Sequence, residues 1–215
     1  MPHRYLAELT TPSVEAVQEE YGSRSAMRRM MAGWHTDGVL GEGEIEFIGE
    51  RDGFYLGTVG ETGWPYVQYR GGPPGFLKVL GVEDGASVLG WGDFRGNRQY
   101  ISAGNLRASD RVSLFLMDYA GRQRLKILGE ARILDARAEE AALLMEQVAL
   151  PGYHSRVERV VTVRVAGFDW NCPQHITRRW TADELKPVLE QLHTEVEELR
   201  EENRRLREQL AGGGG

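Results

Sequence analysis

A heptad repeat near the end of the chain constrains the fold more than any other feature of the sequence. Two sets of positions recur every seven residues: Leu185, Leu192, Leu199 and Leu206, and between them Leu189, Val196, Asn203 and Leu210. With the first set at d, the second set at a contains one asparagine, which favours a parallel two-stranded coiled coil in a fixed register. Charges of opposite sign agree with this pairing, since Glu195 would face Arg200 of a second copy and Glu202 would face Arg207.

A single helix that packs its leucine stripe on its own domain is the alternative. The strict spacing of three and four residues over nearly four heptads is narrower than a core-facing helix needs, and it favours the coiled coil. Because the ring of Pro187 would clash within a turn begun at Thr181, we expect the regular coil only from Pro187 onward. The sequence therefore predicts a coiled coil over residues 181–210 and a flexible glycine tail over residues 211–215.

The preceding part of the chain is typical of antiparallel β structure. Short stretches rich in β-branched and aromatic residues are separated by Gly, Pro or Asp. They are FYLGTVG, WPYVQYR, GFLKVL, ASVLGWG, RVSLFLMDY, QRLKILGEARIL and ERVVTVRVAGFDW. Strands at this spacing, with few helices, indicate a mainly β fold with flanking helices, in the form of an antiparallel barrel over residues 36–180.

Helical signals lie before the first strand and between later ones. Thr11 followed by Pro12 is a cap and first-turn signal. A second short helix is expected over residues 23–31, so residues 1–35 form a predicted N-terminal helical segment. We expect a loop over residues 34–43, a helix beginning at about Asn97 and another over residues 138–148.

Composition and charge exclude several classes of function. The chain has 26 Lys and Arg against 32 Asp and Glu, a net charge of −6, which argues against binding to nucleic-acid backbones. No run of 18 apolar residues predicts a membrane span, and the N-terminus lacks a signal-peptide pattern, so a cytoplasmic protein is expected. Cys172 is the only cysteine and the five histidines lack metal-ligand spacing, so we predict neither a disulfide nor a metal site.

One segment has the composition of a phosphate site. The common dinucleotide, triphosphate and nucleophile-elbow motifs are missing from the sequence. In GWGDFRGNRQYIS, from Gly90 to Ser102, a predicted strand ends, a turn follows and the helix expected at Asn97 begins. Unpaired N–H groups at a helix start, flanked by Arg95 and Arg98, suit a phosphate. The alternative is a solvated turn with two surface arginines.

Several of these segments resemble the flavin-binding split-barrel family, which includes pyridoxamine 5′-phosphate oxidase. FYLGTVGETGWPYVQ is similar to the family's first hairpin, DFRGNRQYI lies where the family holds the flavin phosphate, and DRVSLFLMD and RLKILGEARIL are similar to its later strands. The resemblance covers residues 46–135 approximately. It implies a split barrel that binds FMN at a site shared across a homodimer and acts on a small-molecule substrate.

The resemblance also implies which residues contact the phosphate side of the cofactor. Arg98, with Asn97 and Gln99, lies where the family has its phosphate-binding pair, and a phosphate dianion needs such fixed donors. Gln68 and Arg70 alternate on the second strand and therefore share a face. They are expected at the pyrimidine edge or phosphate of the flavin.

Further cofactor residues are implied around the flavin ring. Asp93 and Phe94 fall where the family makes backbone contacts with the isoalloxazine. Arg124 occupies the position of a glutamine that reaches the ring in the oxidase. Lys78 is a further candidate, for which an exposed strand lysine is the alternative.

The C-terminal end of the predicted barrel departs from the oxidase. The oxidase ends with an Arg-x-His substrate-binding segment, whereas this chain has DWNCPQHITRRW. Oxidation of pyridoxamine phosphate is therefore not predicted. The NCPQHI segment places Gln174 and His175 close to Asn171 and Cys172, where they are expected to cap the flavin of the other subunit. A polar turn after a strand ended by Pro173 is the alternative.

These observations lead to the hypothesis of an FMN-dependent oxidoreductase of unknown substrate, with no residue singled out as catalytic. Two rivals stay open. One is a split barrel that holds haem, which would use a histidine such as His154 or His175, or a deazaflavin, which would need an extra basic groove for its acidic tail. The other is a non-catalytic protein in which the barrel senses flavin and the coiled coil carries the interaction.

Overall fold

Seven β-strands form one antiparallel sheet in the structure, a computed structural model that describes residues 3–33, 38–170 and 173–212. The strands are β1 (Gly53–Val59), β2 (Pro65–Gly71), β3 (Lys78–Glu83), β4 (Ala86–Phe94), β5 (Arg111–Asp118), β6 (Gln123–Asp135) and β7 (Val157–Trp170). Their order in the sheet is β2-β1-β5-β6-β7-β4-β3. All seven match the stretches proposed from sequence, and the mainly β fold with flanking helices is confirmed.

Seven α-helices accompany the sheet in the described part of the chain. They are α1 (Arg4–Leu9), α2 (Pro12–Glu20), α3 (Arg24–Gly33), α4 (Glu42–Gly49), α5 (Ile101–Ala108), α6 (Ala142–Gln147) and α7 (Ala182–Gly212). The side chain of Thr11 caps α2 by accepting from the N–H of Val14, as the Thr-Pro signal predicted. A short 3₁₀ turn, Glu139–Ala141, precedes α6, so the helix expected over residues 138–148 is present in two pieces.

Helix α4 was not predicted, and it overlaps the last two residues of the loop expected over residues 34–43, of which residues 38–41 lie outside helices and strands. The carboxylate of Glu44 accepts from the N–H of Gly41 at 2.9 Å and so satisfies a free donor at the start of the helix. Phe47 and Ile48 are buried and anchor the helix in the core. The sequence did not indicate this start because glycines occupy positions 41 and 43, and glycine disfavours a helix. Packing of the helix on the core outweighs that local preference.

Helix α5 corrects the start that was expected at about Asn97. It begins at Ile101. Arg98 and Tyr100 have φ angles of 60° and 54°, in the left-handed region, which a right-handed helix cannot contain. The segment from Arg95 to Tyr100 is therefore a loop with two unfavourable backbone conformations, rather than the first turn of a helix.

The core lies along β4 and its neighbours. Every residue of β4 from Ala86 to Asp93 is buried, which is typical of a strand covered on both faces. The ring of Phe54 packs edge-on against Trp91, with centroids 5.2 Å apart, and stacks on Phe76 at 5.7 Å. All three rings are about 1% exposed, so their burial and packing hold β1 and β4 to the same core.

The N-terminal helix α1 packs closely on β7. A Cβ atom at Gly167 would lie 2.7 Å from the backbone nitrogen of Tyr5, so only glycine permits this approach. The imidazole of His3 is buried, accepts from the N–H of Leu6 at 3.4 Å and lies 3.6 Å from the carboxylate of Asp169. These contacts fix the N-terminal segment on the sheet.

The chain divides into two compact units. The first comprises residues Met1–Asp118 and Arg122–Gln174, and the second comprises Tyr119–Gly121 and His175–Gly215. The second unit contains the 31-residue helix α7. No helix in the described ranges is both long and apolar enough to cross a membrane.

Helix α7 corrects the expected start of the regular coil at Pro187. It begins at Ala182 and continues through Pro187. Thr181 and Glu184 form a capping box: the Thr181 hydroxyl accepts from the Glu184 N–H at 3.2 Å, and the Glu184 carboxylate accepts from the Thr181 N–H at 2.7 Å. This box stabilises a turn before the proline, whose ring removes only one backbone donor near the start of a long helix.

Candidate functional site

A cavity of about 160 Å³ lies at the junction of β2, the end of β4 and the loop before α5. We call it the strand-end cavity. Seven residues that were predicted to contact a cofactor line it: Gln68, Arg70, Asp93, Phe94, Asn97, Arg98 and Gln99. The fold thus brings together two predicted segments that are separated by more than twenty residues in the sequence.

Strand β2 supplies one wall through alternate residues. Tyr66, Gln68 and Arg70 share one face of the strand. Gln68 pairs across the ladder with Leu56, and Arg70 pairs with Phe54, both of which are buried. The Tyr66 hydroxyl donates to Oε1 of Gln68 at 2.5 Å. This bond orients the Gln68 amide, whose NH₂ group donates to the backbone carbonyl of Tyr69 at 3.5 Å.

The second wall contains a charged pair set by the register of β4 with β7. Asp93 and Arg159 are direct ladder partners. The Asp93 carboxylate accepts from Nε of Arg159 at 2.9 Å and lies 2.7 Å from its terminal nitrogen. Burial opposes the charge on Arg159, but the bonds to Asp93 and the nearby Glu158 outweigh it and raise the pKa of Arg159 above its usual value. The Arg159 guanidinium is therefore charged and held against the Asp93 carboxylate.

The loop before α5 forms the third wall. Its conformation is held by Asn97, whose side-chain oxygen accepts from the backbone N–H of Gln99 at 3.1 Å. The guanidinium of Arg159 lies 4.8 Å from the ring centre of Tyr100, a favourable cation–π contact. Arg98 and Tyr100 adopt left-handed φ angles here, and strain of this kind concentrates at ligand sites.

Unsatisfied buried donors give the cavity its chemical character. Nε of Arg70 is buried and lies 3.5 Å from the Asp93 carboxylate without forming a hydrogen bond. The hydroxyl of Ser102 is also buried and has no partner in the described residues. Buried polar groups without partners are costly and rare in folded proteins. Two such groups in one small cavity fit a ligand that carries acceptor oxygens.

The charge of the lining fits the same ligand. Arg70, Arg98 and Arg159 line the cavity with one carboxylate, Asp93, and Arg159 also pairs with Glu158 at 3.4 Å, so the lining keeps an excess of positive charge. Arg70 and Arg159 are both engaged with Asp93, whereas Arg98 forms no side-chain bond in the described part of the chain. A phosphate dianion matches this balance in charge and in its need for fixed donors.

Four predicted cofactor residues do not line this cavity. Lys78 lies at the start of β3 opposite Gly90, and Arg124 lies on β6 with a buried Nε that has no partner in the described residues. Gln174 and His175 are exposed in a turn. Their contact with a cofactor stays a prediction. Asn171 and Cys172, of the same NCPQHI segment, lie outside the described residues.

Ser102 and Arg159 line the cavity but were missed from the sequence. Ser102 is the last residue of the segment from Gly90 to Ser102 that was predicted to suit a phosphate, so its place in that segment was the available signal. Arg159 gave none, because its role depends on the register that places β7 beside β4. No group of three or more histidine, cysteine, aspartate or glutamate side chains is placed to hold a metal ion within the described ranges.

Comparison with known families agrees with the resemblance. The family model described as pyridoxamine 5′-phosphate oxidase matches residues 44–166, more than half of the chain. The chain belongs to the pyridoxamine 5′-phosphate oxidase family. The predicted family is thereby confirmed, and the match extends beyond residues 46–135 to include most of β7. No curated protein matches the chain.

Several solved structures of low sequence identity also match this chain. A putative pyridoxamine 5′-phosphate oxidase from Lactobacillus delbrueckii is 17% identical, with a TM-score of 0.46 over 63% of this chain and 99% of that one. An FMN-binding protein from Syntrophomonas wolfei is 10% identical, with a TM-score of 0.44 over 74% and 97%. An F420 reductase is 20% identical, with a TM-score of 0.40 over 60% and 98%.

Proposed function

We propose that this protein binds FMN, with the flavin phosphate in the strand-end cavity, and acts as an oxidoreductase on a small molecule. The observation that carries the proposal is the meeting of the Arg98 cation with two buried donors, Nε of Arg70 and the Ser102 hydroxyl, none of which has a hydrogen-bond partner among the described residues. The family of the chain and the composition of the segment from Gly90 to Ser102 support the same ligand.

Each cavity residue has a distinct part in holding the phosphate. Arg98 supplies charge and hydrogen bonds at the open side, and Ser102 donates a single hydroxyl from α5. Arg70 donates from β2, where the ion pair with Asp93 keeps its guanidinium in position. Arg159 fixes Asp93 and so prevents that carboxylate from repelling the anion. When bound, FMN supplies the electron-transfer chemistry, and the protein supplies position and electrostatics.

A homodimer that completes the site is part of the proposal. The strand-end cavity, at about 160 Å³, is smaller than the several hundred Å³ of typical ligand pockets, so a further wall is required for a whole flavin. The outer face of the β1–β2 hairpin exposes Tyr55, Val59, Val67 and Tyr69. An exposed apolar patch of this kind is typical of an interaction surface. We propose that this patch contacts a second copy of the chain, and that the sheet closes as a split barrel.

A parallel coiled coil between the two α7 helices is also proposed. The leucines of the heptad repeat are exposed on the single chain, from Leu185 at 38% to Leu210 at 81%. Within its own helix Arg200 bonds to Glu197 at 2.8 Å, whereas Glu195, Glu202 and Arg207 form no side-chain bond in the described part of the chain. These three are free to pair with a second helix. We place the dimer in the cytoplasm.

Reconstitution with FMN and with riboflavin tests the cofactor. The purified full-length protein is expected to show flavin absorption near ~450 nm when FMN is bound. Riboflavin lacks the phosphate, so it should bind about tenfold to a hundredfold more weakly, the effect of a lost charge-assisted contact. Equal affinity for the two flavins would reject the phosphate site. A haem Soret band, the spectrum of a deazaflavin or the absence of any chromophore after reconstitution would reject FMN.

A further inference from the structure

A second and larger cavity, of about 640 Å³, lies beside the strand-end cavity. It is formed between one face of α5, the end of β6 and the start of β7. We call it the arginine cavity, because Arg107, Arg137, Arg156 and Arg159 line it. Tyr100, Ala103 and Arg159 line both cavities and form the wall between them.

The cavity is open because the face of α5 that lines it carries two small residues, Ala103 and Gly104, at its centre. Tyr100, Ala103, Gly104 and Arg107 recur at intervals of three and four residues, so they share one face of the helix. A Cβ atom placed on Gly104 would meet nothing within 4 Å. A helix that packed its face fully on a sheet would carry larger apolar residues there. The volume is within the range of small-molecule sites, which is several hundred Å³.

The charges in the lining are unevenly satisfied. Arg137 binds Asp135 through two nitrogens, at 2.9 and 2.6 Å, and this bonding holds the pKa of Asp135 far below its usual range. Glu158 accepts from Tyr100 at 3.2 Å and lies within 3.7 Å of Arg95.

The two carboxylates are therefore already matched by cations. Of the four arginines, Arg137 pairs with Asp135, and Arg159 pairs with Glu158 at 3.4 Å as well as with Asp93, which leaves two positive charges. Arg107 and Arg156 provide them, since neither forms a side-chain bond in the described residues. Two such cations in the lining of one open cavity are available to a ligand.

We infer that the arginine cavity binds a small organic or inorganic anion with at least two closely spaced negative charges. Arg107 reaches it from α5 and Arg156 from the start of β7, so one anion between them would bridge the two elements. The apolar side chains of Ile133 and Val157 and the ring of Tyr100 line the rest of the volume, which suits a ligand with a short carbon body. Polycarboxylates and phosphate esters share this chemistry.

Calorimetric titration of the full-length protein with citrate and with pyrophosphate tests the inference. Saturable binding of citrate alone would identify a polycarboxylate ligand, and binding of pyrophosphate alone would identify a phosphate. Arg107→Gln and Arg156→Gln should each lower the affinity about tenfold or more, as expected for a lost charge-assisted bond. Arg111→Gln is the matched control, because Arg111 is exposed at the start of β5, outside the cavity, and should leave the affinity unchanged.

Gly104→Leu tests the same cavity without a change in charge. Leucine is favoured over glycine in a helix, so the variant should fold, and its side chain should project into the cavity and weaken binding of the probe. Absence of saturable binding to the unchanged protein, or binding unaffected by Gly104→Leu, would overturn the inference.

The inference is separable from the proposed FMN site. Arg98 lies in the strand-end cavity and not among the residues that line the arginine cavity. Arg98→Ala should therefore lose FMN and keep the affinity for the anion. Loss of anion binding in Arg98→Ala would show that the probe occupies the strand-end cavity, and would also overturn the inference.

Discussion

Replacement of Arg98 by alanine should weaken FMN binding more than replacement of any other exposed arginine or lysine near the site. Arg70 and Arg159 share the cavity with Arg98, but both are engaged with the Asp93 carboxylate, at 3.5 and 2.7 Å. Arg98 is the cation of the lining whose charge is not matched by a described partner. Its guanidinium therefore provides most of the net attraction for a phosphate.

The magnitude follows from the kind of bond that is lost. A hydrogen bond to a charged group contributes about 1.5–3 kcal/mol, which corresponds to roughly tenfold to a hundredfold in the dissociation constant. Arg95→Ala should change the affinity by much less, because Arg95 is exposed and lies 3.7 Å from Glu158 instead of lining the cavity. Lys78→Ala should behave in the same way, since Lys78 lies at the start of β3.

The backbone at Arg98 calls for one more variant, because its φ angle of 60° lies in the left-handed region. Arg98→Gly removes the guanidinium but accommodates this backbone without strain. If the charge is what matters, Arg98→Gly should lose as much affinity as Arg98→Ala in fluorescence titrations with FMN. Retention of FMN by Arg98→Gly would refute the reasoning, as would equal losses in Arg95→Ala and Arg98→Ala.

Four further predictions concern the charged pair and the dimer. Arg159→Gln should lower the free energy of unfolding, measured in urea, by about 3 kcal/mol. This is the lower end for a broken buried pair, because Arg70 remains near Asp93. Adding Asp93→Asn should recover part of the loss, and strictly additive losses would contradict the pairing. Deletion of the residues after Arg179 should leave a flavin-bound dimer of lower stability in sedimentation, whereas a flavin-bound monomer would reject the shared site. A cysteine appended after Leu210 should cross-link rapidly within the dimer if the coil is parallel, and Asn203→Leu should raise the melting temperature while loosening the oligomeric state.

The strands were predictable because their signal is local. Each alternates or clusters β-branched and aromatic residues between Gly, Pro or Asp, and the pleat turns that pattern directly into a buried face. The failures at Gly41 and Asn97 have one physical cause. In both places backbone conformation is decided by tertiary packing and by individual φ angles, which composition does not report.

The candidate site was only partly accessible from the sequence for a similar reason. Gln68 and Arg70 were implied by the family resemblance, and alternation along one strand placed them on a shared face. Arg98 was implied by the same resemblance and by its place in a turn of suitable composition. Arg159 joins them through the antiparallel register of β4 and β7, and the orphaned donor of Ser102 exists only because the core closes around it. Pairing between distant strands cannot be obtained from the period of either strand alone.

The net charge of −6 bears on the binding of long polyanions, whereas the two cationic cavities bear on the binding of small anions. A long polyanion meets the whole field of a protein, so an acidic chain disfavours it. A small anion in a cavity meets only the nearest groups, because salt screens charges more than about 10 Å away. In this protein Asp93 and Glu158 hold Arg159 between the two cavities, while Arg98 on one side and Arg107 and Arg156 on the other remain free. The carboxylates thus orient the shared arginine, and the unmatched arginines are left to bind ligands.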